Sequence, residues 1–151
     1  MIRTGRRMVL IAGALALLIS GVAAARTHTS RHTTEIAVQN VFVGQQGRLS
    51  VSGVLHSDSR ACRQFNDVGL YRKRAGGDEF MDTGFVSYPH SAWATRTKRG
   101  AVVDGARFYL KVNKLTIVSV RNGHHRRRIV CGGDRVPVTL PPPGTPGSAA
   151  Q

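Results

Sequence analysis

The sequence predicts an all-β protein: a sandwich of seven or eight short strands behind an N-terminal leader. Three observations carry this fold class. Apolar residues recur with a period of two in several short runs. Turn-forming residues separate those runs, with 17 Gly and 6 Pro in 151 residues. Nowhere do apolar residues keep a helical spacing for more than about two turns. Short strands with frequent turn signals define a sandwich, and a small barrel is the alternative.

The elements follow in chain order. Arg3, Arg6 and Arg7 stand in the first eight residues with no acid among them. Residues 9–22 are almost wholly apolar, and Ala23, Ala24 and Ala25 are small. These are the three parts of a secretory signal peptide spanning residues 1–25, with cleavage before Arg26. The apolar run is shorter than the ~20 residues that cross a bilayer. No transmembrane span is therefore expected in the mature chain; an uncleaved anchor is the alternative. Arg6 and Arg7 ahead of the apolar run also resemble a twin-arginine export signal. The expected location is secreted, extracellular or in the cell envelope.

Residues 26–34 are small and polar and read as a flexible lead-in. The folded unit is expected over 35–140. Ile36, Val38 and the stretch Val41 to Val43 mark a first strand. Leu49, Val51, Gly53 and Leu55 then alternate with Arg48, Ser50, Ser52 and Val54. Val68, Leu70 and Arg72 alternate with Gly69, Tyr71 and Lys73, and Phe108, Leu110 and Val112 with Tyr109, Lys111 and Asn113. Ile117 to Val120 and Val136 to Leu140 give two late strands. Turns are expected at Ala75 to Asp78, at Asp104-Gly105 and at Asn122-Gly123, whose residues suit a two-residue type I′ hairpin. Residues 141–151 are rich in Pro, Gly, Ser and Ala and read as a disordered tail.

Cys62 and Cys131 are the only two cysteines. In an exported chain two thiols meet an oxidising compartment and are expected to pair; free thiols and an intermolecular bridge are the alternatives. Cys62 falls in the polar stretch 57–66, read as a loop.

Gly47-Arg48-Leu49-x-Val51-x-Gly53, then Cys62-Arg63, then Val68-x-Leu70-Tyr71-Arg72 resemble the front half of transthyretin-like and carboxypeptidase-regulatory-like domains, in their small secreted bacterial form. Thr83-Gly84, Trp93, Gly105, Phe108 to Val112, Cys131 and Asp134 resemble the back half in order. The resemblance covers about residues 47–136. It implies a seven-stranded, immunoglobulin-like sandwich, a Cys62–Cys131 bridge and an accessory or surface module without catalysis. The chain departs from the pattern at Ser87 to Trp93, where the turn has no glycine. Between Val112 and Cys131 it is longer, with room for an extra hairpin.

Charge is the strongest functional signal. The chain has 22 basic and eight acidic residues. Without Arg3, Arg6 and Arg7 the balance is 19 against eight, or +11. Such a field attracts polyanions: nucleic acid, anionic lipid or acidic wall polymers. Eighteen of the basic residues are Arg, an excess that base composition alone also produces. The densest run is Asn122-Gly123-His124-His125-Arg126-Arg127-Arg128, at or just after a hairpin tip. Guanidinium forks match phosphate, sulfate and carboxylate. The candidate polyanion site is Arg121, His124, His125, Arg126, Arg127, Arg128 and Arg135. Its expected partners are anionic cell-envelope polymers or a surface protein. Aromatic residues are not interleaved with these cations, so a dedicated nucleic-acid module is not expected.

Other chemistry finds little footing. His28 and His32 are four apart outside any helix pattern, and no third ligand accompanies them or His124-His125, so no metal site is expected. No Gly-x-Ser-x-Gly elbow occurs, and Asp78, Glu79 and Asp82 lack the calcium-loop pattern. The reading is a non-enzymatic module without a cofactor. The alternatives are a structural or protein-interaction module with no polyanion role, and a secreted hydrolase.

Overall fold

The computed structural model describes residues 27–121 and 125–142. The expected signal peptide and most of the expected tail lie outside the described residues. In chain order the elements are β1 (Thr27–His32), β2 (Glu35–Gly44), β3 (Arg48–His56), α1 (Arg60–Gln64), β4 (Asp67–Arg72), β5 (Glu79–Phe85), β6 (Ala92–Arg96), β7 (Phe108–Val112), β8 (Leu115–Arg121), β9 (His125–Cys131) and β10 (Asp134–Val138).

Seven of these strands make the sandwich. A front sheet has the order β2-β3-β6 and a back sheet the order β10-β7-β4-β5, all antiparallel. The period-two pattern explains the layering, because every second side chain of a strand points to one face. Leu49, Val51 and Leu55 of β3 face Val68 and Leu70 of β4 and Leu110 and Val112 of β7. Each is at most 1% exposed, and with Ile36, Trp93, Phe108 and Val138 they form one core cluster. Burial of such side chains stabilises by ~1.5–3 kcal/mol each.

Local chemistry sets the details. Pro137 donates no ladder hydrogen bond, and it sits on β10, an edge strand, where that omission is tolerated. Gly53 lies between Val38 and Trp93 in the front ladder. A Cβ there would stand 2.0 Å from the Ala37 carbonyl oxygen and 2.8 Å from the Trp93 ring. Only glycine admits so close an approach. The turn before Trp93 closes without glycine, using a cis Tyr88–Pro89 bond and Ser91 at φ 57°. Asp134 accepts the Ile36 backbone N–H at 2.7 Å and so ties β10 to β2.

The third sheet corrects two expectations. Residues 26–34 are not simply a flexible lead-in: Thr27–His32 form β1, parallel to β9 over its full length. β9 in turn pairs antiparallel with β8, giving a side sheet of order β1-β9-β8. Cys62 is not in a loop but buried on the short helix α1. Cys62 and Cys131 are joined, with S–S 2.03 Å and Cα atoms 5.5 Å apart. The bridge pins α1 to β9, and Ile129, Ala61, Leu115 and Ile117 pack around it as a second, smaller cluster. The last ladder pair of the β8–β9 hairpin is Arg121 with His125. The expected turn at Asn122-Gly123 lies outside the described residues.

Candidate anionic-ligand surface

The side sheet has two faces of opposite character, and the alternation of β9 creates them. Ile129 and Cys131 point toward α1 and the disulfide, with Leu115 and Ile117 of β8 beside them. Arg126, Arg128 and Val130 point the other way. The ladders set Val120 beside Arg126 and Val118 beside Arg128 on one flank. On the other flank they set Thr27 beside Arg126, Thr29 beside Arg128 and Arg31 beside Val130.

This outer face is open to solvent. Arg31, Arg126 and Arg128 are exposed, and Val118 and Val120 are 58% and 60% exposed. The strands Thr-His-Thr-Ser-Arg-His, Leu-Thr-Ile-Val-Ser-Val-Arg and His-Arg-Arg-Arg-Ile-Val-Cys contain no Asp or Glu. Strands lie ~4.8 Å apart and alternate residues ~6.8 Å apart. The three guanidinium stems therefore rise from one small area with no carboxylate in the sheet to neutralise them. Chemically, the face offers forked donors for phosphate, sulfate or carboxylate, between threonine hydroxyls and two exposed valines.

The candidate residues divide accordingly. Arg126 and Arg128 share the outer face. Arg127 is exposed on the opposite face, in line with His28 and Ser119. Arg121 and His125 are the last ladder pair at the hairpin end, and His124 lies outside the described residues. Arg135 stands apart, on β10 of the back sheet. Its guanidinium carbon is 3.7 Å from the centre of the Tyr109 ring, and one of its nitrogens is 3.3 Å from Asp78 Oδ2. Arg31 joins the face although the sequence reading left it out. The signal was faint: Thr27, Thr29 and Arg31 alternate in a segment without a large apolar residue.

Several carboxylates of the molecule are individually engaged. Tyr109 Oη donates to Asp78 Oδ2 at 2.6 Å, tying the loop after β4 to β7. Tyr109 is 4% exposed; burial, reinforced by this bond and the Asp78 charge, raises its hydroxyl above the ordinary tyrosine pKa. Glu79 takes Arg72 at 2.6 Å and Arg74 at 2.7 Å. Asp82 accepts the backbone N–H of Arg96 at 2.6 Å. At the base of the side sheet His32 Nδ1 is 3.0 Å from Asp58 Oδ1, and this hydrogen bond holds the Asp58 carboxyl below its usual value.

Among the described residues no group of three His, Cys, Asp or Glu could hold a metal ion. No helix among them is long and apolar enough to cross a membrane. No known protein-family model matches the chain, and no curated protein matches it either.

Proposed function

We propose that the protein is a secreted or envelope-associated, non-enzymatic β-sandwich module that holds anionic polymers of the cell envelope against the outer face of its side sheet. One observation carries the reading: Arg31, Arg126 and Arg128 converge on one exposed face of a sheet whose strands contain no carboxylate. A disulfide between distant cysteines favours an oxidising compartment. The resemblance to small secreted transthyretin-like domains agrees with an accessory module, although fold alone does not assign function.

The test exploits the two faces. Arg126→Ala with Arg128→Ala should lower the salt concentration that elutes the protein from a sulfated-polysaccharide column. Arg127→Ala, one charge on the opposite face, should shift it far less. Circular dichroism would confirm that both variants are folded. Equal elution of the wild type and the double variant would sink the proposal.

A second reading, a protein-interaction module, has an observation of its own. Among the described residues β8 is an edge strand, paired to β9 alone, with Val118 and Val120 exposed. Such an edge can accept a further strand. Ser119→Pro, on the face away from Arg126 and Arg128, would block strand addition and leave the arginine face in place.

A further inference from the structure

We infer that the outer face of the front sheet is a second, independent binding trough, shaped for an acidic polysaccharide strand with one sugar ring on Phe42. Two adjoining hollows of about 290 and 340 Å³ run along this face. Phe42, Ser50 and Arg96 line both, and these three form one row across the sheet, in register. The next row is Asn40, Ser52 and Ala94. In these two rows the middle strand contributes Ser50 and Ser52, a low floor, and its first residue, Arg48, lines the hollow at one end. The combined space falls within the ~300–1,000 Å³ of small-ligand clefts.

The chemistry is graded along the trough. Phe42 is 50% exposed and lies over Gly44, where a Cβ would approach its ring to 3.2 Å. An apolar ring held on the surface without a partner suits the C–H face of a sugar. Serine hydroxyls and the Asn40 carboxamide at one end suit sugar hydroxyls. At the other end, Arg48, Arg96 and Arg99 line the hollow without a carboxylate. Asp82 lines only the neighbouring hollow, where it is occupied by the Arg96 backbone N–H. The guanidiniums are left for an anionic group of the ligand.

This grading favours an acidic glycan over single-stranded nucleic acid. Nucleic acid calls for a series of stacking rings and cations along the whole track. Here one ring and one cationic end accompany a neutral polar floor. The trough also lies at the far end of β2 from the side sheet. β2 runs from Glu35, next to β1, to Gly44 beside Arg48, and ten residues span ~33 Å. The inference therefore does not rest on the side-sheet face, and each surface is removable without touching the other.

Titration calorimetry with a defined oligogalacturonate, a neutral maltooligosaccharide of equal length and a single-stranded oligothymidylate of equal charge decides the matter. The acidic sugar should bind, and the neutral one should bind at least about tenfold more weakly. Phe42→Ala should weaken the acidic sugar about tenfold. Arg96→Ala with Arg99→Ala should weaken it by about thirtyfold or more. The last two side chains are exposed, so the pair reads the trough even where loss of Phe42 disturbs folding. All titrations are run in an Arg126→Ala, Arg128→Ala background, which removes the side-sheet face as a second anion site and leaves the trough intact. Unchanged affinity in the Arg96/Arg99 variant, or oligothymidylate binding as tightly as the uronate and with the same variants, would overturn the inference.

Discussion

The sandwich and the side sheet solve the same problem by different means. The sandwich buries Leu49, Leu55, Leu70 and Leu110 completely and is held by apolar contact between two sheets. The side sheet has only Ile129 and the two cysteines as buried members of its cluster. Its outer face carries cations and exposed valines. Where apolar area is too small to order three strands, a covalent link to α1 supplies what packing does not. A surface free of core duties is then open to be filled with arginines.

The largest effect should come from removing that link. Cys62 and Cys131 are 69 residues apart, and a loop of that length corresponds to about 4 kcal/mol by the chain-entropy model. In Cys62→Ser with Cys131→Ser, hydrogen exchange should show β1, β8 and β9 losing protection while β4 and β7 keep it. Uniform loss across all strands would break the comparison and make the molecule one cooperative unit.

Leu110→Ala attacks the other region. It opens a cavity at a fully buried site and should cost about 3 kcal/mol in denaturant unfolding. Here protection should fall in the front and back sheets together.

Tyr109→Phe is milder, at about 1.5 kcal/mol, for the hydrogen bond to the Asp78 carboxylate. The raised pKa gives it a pH signature. The neutral hydroxyl is favoured in the folded state, so its contribution is complete below pH 10.0, the ordinary value. That contribution is lost as pH rises through the higher folded-state value. The phenylalanine variant should therefore show a flatter alkaline limb in thermal melts.

Asp58→Asn should have the smallest effect. The folded-state carboxyl titrates below 3.8 because His32 hydrogen-bonds to it. Its contribution is present above that value and lost as pH falls through the lower one. Melting curves followed from roughly pH 6 to pH 2 should lose part of their acid slope, the variant lying slightly below the wild type at the neutral end and converging with it in acid.

Much of the sandwich was legible in the residues because its strands bury one face cleanly. β3, β4 and β7 alternate without a break, and their inward positions are the core. β5 and β6 were not read as strands, for a physical reason. In β5 the large aromatics face outward, with Phe80 56% and Phe85 75% exposed. In β6 a buried threonine, Thr95, takes an inward position and Ala92, Ala94 and Arg96 the outward ones. β1 was hidden because its order comes from pairing with β9, about a hundred residues later, and not from any apolar face of its own. For the same reason Arg31 was missed and Arg135 misplaced. Proximity in sequence grouped Arg135 with the hairpin, whereas Asp78 and the Tyr109 ring hold it at the back sheet. The front-sheet trough was invisible, because its row Phe42, Ser50, Arg96 is assembled from three strands.

Trp93 is the chain's single tryptophan. It is 3% exposed, inside the sandwich and against Gly53. Its emission therefore reports on one region and not on the other. Opening the side sheet by reduction would leave the spectrum in place, while melting the sandwich would shift it to the red. The molecule carries an optical label for its core alone, and no engineered fluorophore is needed to tell partial opening from complete unfolding.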